Sequence, residues 1–470
     1  MEIEDNKFDL NIEEILENWE IYDAIREVIA NALDEQKLTE TNDLEIYKDD
    51  DNKWHIRDYG RGLKHEHLTQ KENKEKIEHP HLIGKFGIGL KDALATFDRQ
   101  GGEILIKSKY NDITTGIYPK AGFEDIKTLH AVLHDPSDPN FEGTDVILGN
   151  ISQDDMDKAK ALFLKFSGDE LVESTEYGDV YRKKSETSNI YINGVKVNEE
   201  DNFLYSYNIT SLTKAIKDKL NRERSNVGRD AYRDRIKSIL LKCESVDIGQ
   251  DLSNDLRNIN AGTSHDELNW KAIQLHAVKI LSSKKEIITL TSTQILDHPE
   301  IVDNAMARGV EIIPITDMLR EDLRNTVDIS GKRIRDIDYY IEEEHESFEF
   351  NWVNPDKLTH SERNIFDLTD KIFGLIGGRP SDILEIKISE TMRKDPITYR
   401  ESNGLWDEDN GWVILKRNRL KNICKFGGTL LHETAHCISG KPDVNRDFEL
   451  ILSQLLGTLC SKILDKDGIL

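Results

Sequence analysis

The stretch that most restricts this 470-residue chain is TLLHETAHCISG, residues 429–440. Inside it lies His432-Glu433-Thr434-Ala435-His436, an H-E-x-x-H. In a helix, positions i and i+4 share a face, so His432 and His436 can present two imidazoles to one metal ion. Glu433 is offset from that face and can reach water at the ion rather than the ion itself. Two neutral nitrogen ligands, an open position and a proton-accepting carboxylate suit zinc. The chain has 14 histidines; a chance pair at this spacing is expected roughly 0.4 times, and with glutamate second below about 0.1 times. An ordinary surface helix with two incidental histidines is the competing reading.

A third ligand is needed, and no histidine follows His436. The acids downstream are Asp443, Asp447 and Glu449. Residues 446–459 have helical spacing, and Glu449 on that helix is the first choice, followed by Asp443 and Asp447. Strands are expected at 383–388 and 411–416. A strand followed by an H-E-x-x-H helix resembles the zincin peptidases. The resemblance implies that an edge strand aligns an extended peptide beside zinc, with Trp412–Lys416 as the candidate, and that Glu433 acts as general base.

The N-terminal third carries a second constellation. Apolar residues from Ile12 to Leu33 recur at helical spacing and predict a helix over 11–36. On it Glu27, Asn31 and Asp34 fall at i, i+4 and i+7, a polar line on a mainly buried helix, and such groups need partners. A hairpin, 44–47 with 54–57, leads into Asp58-Tyr-Gly60-Arg-Gly62. A strand-end aspartate there can accept a hydrogen bond from an exocyclic amine, and the glycines let backbone approach a flat ring. Next comes Gly84-Lys85-Phe-Gly87-Ile-Gly89-Leu-Lys91, a glycine-dense turn before a helix, able to offer amide donors and positive charge to phosphate. FEGTDVIL, residues 141–148, completes the set.

In this order and spacing the pieces resemble the GHKL ATPase superfamily, in its chaperone and MORC branches, over about residues 10–150. The resemblance implies a Bergerat α/β sandwich that binds ATP with Mg²⁺. Glu27 would be the base for hydrolysis and Asn31 the Mg²⁺ ligand, with Asp34 among the residues of the nucleotide site. Asp58 would read the adenine amine, with Gly60, Gly62 and Thr144 around the base. Gly84, Lys85, Gly87, Gly89 and Lys91 would line the phosphates, and the region 63–83 would be a lid. A basic side chain from the following domain, Arg222 or Arg224, would sense the γ-phosphate. A homodimer formed on ATP binding is also implied.

The expected fold class is therefore multidomain α+β. An ATP-binding domain covers 1–150 and a transducer-like domain 151–250, the latter with an Asn193-Gly194 hairpin. A βαβ spacer spans 251–330, and a zincin-like domain 331–470. The acidic run 338–350 is expected to be a solvated linker or strand edge. The net charge of −26 argues against a nucleic-acid coat or an anionic-membrane binder. Four scattered cysteines, an N-terminus without a signal-like run and the lack of a membrane-length apolar stretch suggest a reducing, cytoplasmic setting. The leading expectation is an ATP-controlled zinc peptidase acting on a protein or peptide, with a defence effector as one compatible role. The alternative is a chaperone-like or DNA-remodelling ATPase whose metal site is structural.

Overall fold

The computed structural model describes residues 6–10, 18–69, 79, 82–83, 89–120, 123–220, 227–394 and 401–466. The chain is mixed α+β and divides into two compact units, Met1–Ile280 and Leu281–Leu470. Among the described residues there are four sheets, and each falls within one of the four expected segments.

The first unit begins with β1 (Asn6–Asp9) and the helix α1 (Ile21–Thr39). Of the helix expected over 11–36, residues 11–17 lie outside the described residues. Residues 18–20 are not helical, because the Glu20 amide donates to Asp23 Oδ2 at 3.1 Å and starts the helix there. The strands β2 (Glu45–Lys48), β3 (Trp54–Asp58), β4 (Glu103–Ser108), β5 (Asp112–Lys120), β6 (Phe123–His134) and β7 (Thr144–Gly149) join β1 in a seven-stranded sheet, ordered β1-β6-β5-β4-β7-β3-β2. All its pairings are antiparallel. One sheet face buries Ile56, Ile106, Val146 and Leu148 against Ile25, Val28 and Ile29 of α1 and against Leu94 and Phe97 of α2 (Gly89–Gln100). Met156 and Ala159 of α3 (Gln153–Lys160) extend that core.

The second sheet has the order β11-β10-β12-β9-β8. Its strands are β8 (Glu170–Thr175), β9 (Gly178–Arg182), β10 (Ser188–Ile192), β11 (Val195–Glu200) and β12 (Ser206–Ile209). Asn193 and Gly194 join β10 to β11 with φ of 49° and 83°, the doubly positive turn expected of Asn-Gly. Helix α4 (Arg229–Leu240) packs on β9 and β12.

The second unit holds a parallel pair, β13 (Ile287–Thr291) and β14 (Glu311–Ile315). Between them the expected single helix is broken at His298-Pro299, and α5 (Pro299–Ala307) starts with its proline. The acidic run is not a linker: it forms α6 (Ile337–Glu346), capped by Asp336 and buried through Ile337 and Tyr340. Asp338, Glu342 and Glu346 are exposed, while Glu343 pairs with Arg335 and Glu344 with Arg308. A four-stranded sheet follows, ordered β15-β16-β18-β17, from β15 (Trp352–Val353), β16 (Glu385–Ser389), β17 (Gly404–Asp407) and β18 (Trp412–Lys416). Val353, Ile386, Ile388, Val413 and Leu415 pack one face against Phe426 and Leu430. The candidate substrate strand Trp412–Lys416 is thus interior, and the edge lies at β17.

Arg417, just past β18, braces this sheet to α7 (His360–Phe366). Its Nε and Nη2 donate to the two oxygens of Glu362 at 3.0 and 2.9 Å, and Nη1 donates to Glu390 at 2.6 Å. The Arg417 guanidinium, helped by the Thr359 amide and hydroxyl, holds the Glu362 carboxyl at about 2. Because the folded value lies below the unfolded one, the stabilisation is complete above about pH 4.5 and is lost as pH falls toward 2. We expect Glu362→Gln to cost about 1 kcal/mol at pH 7, as for a partly exposed bidentate pair. The difference from wild type should shrink below pH 4.5 and vanish only as pH falls through about 2 in denaturant melts.

Candidate functional site

The H-E-x-x-H segment is helical. It lies in α8 (Ile423–Ser439), whose first amides, those of Cys424 and Lys425, are accepted by the Asn422 side chain at 2.7 and 3.4 Å. Gly440, at φ +59°, ends the helix and donates its amide to the His436 carbonyl. The apolar residues Phe426, Leu430 and Ala435 face the interior, which leaves His432 and His436 on the flank.

Their Nε2 atoms are 3.2 Å apart. After the turn at Gly440 the chain doubles back and brings Asp443 Oδ1 to 3.1 Å from His432 Nε2 and 3.3 Å from His436 Nε2. His436 Nδ1 donates to the Lys441 carbonyl at 2.7 Å, so its Nε2 is left as the lone-pair nitrogen. Zinc–nitrogen bonds of about 2.0–2.1 Å in a tetrahedron place neighbouring ligand atoms about 3.3 Å apart, and the three separations match that spacing. Two imidazoles and one carboxylate therefore fit a zinc ion and leave a fourth position for water or substrate. Among the described residues this is the only group of three or more His, Cys, Asp or Glu side chains close enough to share an ion.

The first-choice third ligand, Glu449, is not part of this group. It is exposed on α9 (Arg446–Lys466). Its neighbour Phe448 turns inward instead, stacking on His436 with ring centroids 4.3 Å apart and meeting His432 edge-on at 5.0 Å. Successive helix positions differ by about 100°, so only one of the two can face the imidazoles. Asp447 is likewise exposed and outside the group.

Glu433 is 5% exposed and packs against Gly404, the first residue of the edge strand β17. A methyl group at Gly404 would fall 2.5 Å from Glu433 Oε1, so this approach requires glycine. Burial, with a smaller push from the Asp443 charge, raises the Glu433 carboxyl to about 8, opposed by the Trp406 backbone amide. Burial also lowers His432, which favours its neutral, ligating form.

The N-terminal constellation is also drawn together in part. Asp58 ends β3 directly opposite Thr144 of β7. It is 6% exposed, and its Oδ1 accepts from the amides of Gly60 and Thr144 at 2.9 and 3.3 Å. Burial pushes the Asp58 carboxyl up to about 6. Gly62 follows at φ +85°. Glu27, held by Arg26 Nη2 at 3.1 Å, lies against Gly89 at the start of α2, where an added methyl would sit 2.2 Å from its Oε2. Lys91 is half-buried on the first turn of α2, and Asn31 is half-buried on α1 between Glu27 and Glu35.

Asp34, one turn beyond Asn31, is buried, and its Oδ1 accepts the Ile83 amide at 2.6 Å. Asn193 of the β10–β11 turn donates to the Leu82 carbonyl at 3.3 Å, so residues 82 and 83 are pinned from two sides. Glu35 was not singled out from the sequence. It continues the line from Glu27 and Asn31, and takes the Arg61 amide, Nε and Nη2 at 2.8 to 3.0 Å. Its position four residues beyond Asn31 was the available signal. Gly84, Lys85, Gly87, Arg222 and Arg224 lie outside the described residues.

Residues 154–246 match the family described as Mycoplasma pneumoniae MPN635 N-terminal domain. Over 236 residues the chain is 42% identical to an uncharacterized protein of Mycoplasma pneumoniae (strain M129), an alignment that covers 49% of this chain and 95% of that protein. The chain belongs to that protein's family. A second uncharacterized protein of the same organism is 26% identical over 335 residues, covering 65% of this chain and 92% of the relative. No helix among the described residues is long and apolar enough to cross a membrane, and all four cysteines are free thiols.

The two candidate third ligands separate cleanly by metal analysis. We expect Asp443→Ala to weaken zinc binding at least about 10-fold and Glu449→Ala to leave it unchanged, with zinc measured by mass spectrometry after competition with a chelator.

Proposed function

We propose that the chain is a zinc-dependent peptide hydrolase of the zincin type, joined to an N-terminal GHKL-type segment that binds and hydrolyses ATP with Mg²⁺. The observation that carries the first half is the convergence of His432, His436 and Asp443 next to a buried Glu433 at a sheet edge. Zinc held there supplies Lewis-acid chemistry, acidifying water and polarising a carbonyl. The chain's own groups do the rest. The free edge of β17 lines up an extended peptide by strand addition. Glu433 accepts a proton from the attacking water and passes it to the departing amine nitrogen. Glu433 is 5% exposed, and so dry a setting strengthens each of these interactions.

The second half is supported by Asp58 facing Thr144 at the sheet end and by Glu27 lying against the first residue of α2. Bound ATP and Mg²⁺ supply the phosphoryl group to be hydrolysed and the charge that neutralises it. Glu27 would take the proton of the attacking water. Residues 82 and 83, pinned by Asp34 and by Asn193, would relay a change at the glycine-rich segment to the second sheet.

The reading is tested with purified zinc-loaded protein and an unfolded protein substrate, with and without ATP. We expect cleavage in wild type, a loss of at least about 100-fold in Glu433→Gln with zinc retained, and loss of ATP hydrolysis in Glu27→Ala. Zinc retention without cleavage, together with a harmless Glu433→Gln, would leave the metal as a structural clamp in a chaperone-like or DNA-remodelling ATPase. Identical cleavage by wild type and Glu27→Ala, with and without ATP, would separate the two activities.

Asp58 supplies an independent test of the nucleotide half. As an acceptor for an adenine amine it must be ionised, and its carboxyl stands at about 6. Adenine-nucleotide affinity should be constant above about pH 7 and fall below pH 6, approaching tenfold per pH unit. Asp58→Asn should bind more weakly and without that pH dependence in calorimetric titrations.

A further inference from the structure

Arg419 follows β18 and reaches across to both walls of the proposed peptide cleft. Its Nη1 donates to Asn403 Oδ1 at 3.2 Å, and its Nε donates to Thr429 Oγ1 at 3.2 Å. Asn403 is the residue before Gly404, where the edge strand begins. Thr429 lies on α8 one turn before Glu433 and touches the same glycine: a methyl at Gly404 would be 2.6 Å from Thr429 Cγ2. The guanidinium is therefore anchored at one end of the strip of β17 that runs past Glu433. Both its anchors are neutral, and among the described residues no carboxylate forms an ion pair with it. The nearby cations differ in this respect: Lys416 pairs with Glu401, and Arg417 with Glu362 and Glu390. In a chain of net charge −26, a partly buried arginine that two neutral groups position is an unusual arrangement. It suits the planar, two-point binding of a carboxylate from outside.

The strand direction says which part of a peptide would reach it. β17 runs from Gly404, beside Thr429, toward Trp406, whose amide acts on Glu433. A peptide added antiparallel to this edge has its C-terminal end toward Asn403 and Arg419. We propose, resting on the peptide-hydrolase reading, that Arg419 selects substrates with a carboxylate about one or two residues C-terminal to the cleaved bond. That carboxylate is either the free C-terminus or the side chain of Asp or Glu.

Binding and cleavage are tested separately. Zinc-loaded Glu433→Gln protein is titrated by calorimetry with matched short peptides: free acid, C-terminal amide, and amide with an internal Asp. Wild type is given free-acid and amidated peptide libraries, and the products are read by mass spectrometry. We expect the amide without Asp to bind about 10- to 100-fold more weakly than the other two. Arg419→Gln in the same background should erase the difference, and Arg419→Lys should restore part of it. In wild-type products, cut sites should lie one or two residues before a free C-terminus or an acidic residue, and which of these dominates identifies the source of the carboxylate. Equal affinity for acid and amide would overturn the proposal. So would an equal loss of affinity for all three peptides in Arg419→Gln, the result for a simple brace between Asn403 and Thr429. A carboxylate preference in binding without any cleavage of the libraries would sink the hydrolase reading and leave a peptide-binding cleft. Cleavage without the preference would sink the Arg419 assignment alone.

Discussion

The close approach of a strand edge to a helix governs the C-terminal site. Gly404 sits so near α8 that any side chain would strike Glu433 and Thr429. Its lack of one lets β17 lie along the helix, and that contact buries the Glu433 carboxylate. Several properties follow from this single contact. The carboxyl is raised because water is excluded. The strand it faces is an edge, with backbone groups open to a further strand. Arg419 is held at the strand's start because both its anchors are brought together there. A strand one residue out of register would place Leu405 against the helix and push the two apart.

The cluster of His432, His436 and Asp443 depends on a different constraint, the tight return after α8. Gly440 stops the helix, and Lys441 turns its carbonyl back onto His436. Val444 adopts φ +60° with its side chain 96% exposed. A β-branched residue in the left-handed region costs on the order of 1–2 kcal/mol. The loop is thus not in its most relaxed form, and the contacts that offset the cost are those of its neighbours: Asp443 with both imidazoles and Lys441 with His436. The sequence of the loop makes sense when read for what Asp443 must do rather than for local backbone preference.

This difference explains what could be read from the chain alone. The pairing of His432 with His436 depends only on helical period, so the motif was sufficient. Which acid meets the imidazoles depends on how a six-residue loop turns and on which residue of the next helix faces inward. Spacing ranked Glu449 above Asp443, while packing placed the phenylalanine beside it against the imidazoles. The hairpin at Asn193-Gly194 was legible because its residues have few alternatives with positive φ. The acidic run at 338–350 was misread because its charges outnumber its apolar residues, although Ile337, Tyr340 and Ile341 carry the helical spacing. The edge strand was assigned to the more apolar Trp412–Lys416. That apolarity reflects an interior strand with neighbours on both sides, whereas the edge Gly404–Asp407 is short and partly polar, as exposed edges tend to be.

The N-terminal polar line is held by contacts that reach from α1 to several other parts of the domain. Glu27 lies against the first residue of α2, and Asp58 pairs across the sheet with Thr144. The Asp34 carboxylate takes the Ile83 amide at 2.6 Å, a buried bond that is costly to break. That bond ties residue 83 to the helix. Glu35, which the spacing left out, takes the place at the other end of the line and holds Arg61 between Gly60 and Gly62. Glu27 to Glu35 spans eight residues, about 12 Å along the helix axis. That length separates the contact with Gly89 from the contact with Arg61, so one rigid helix sets the distance between α2 and the turn after β3.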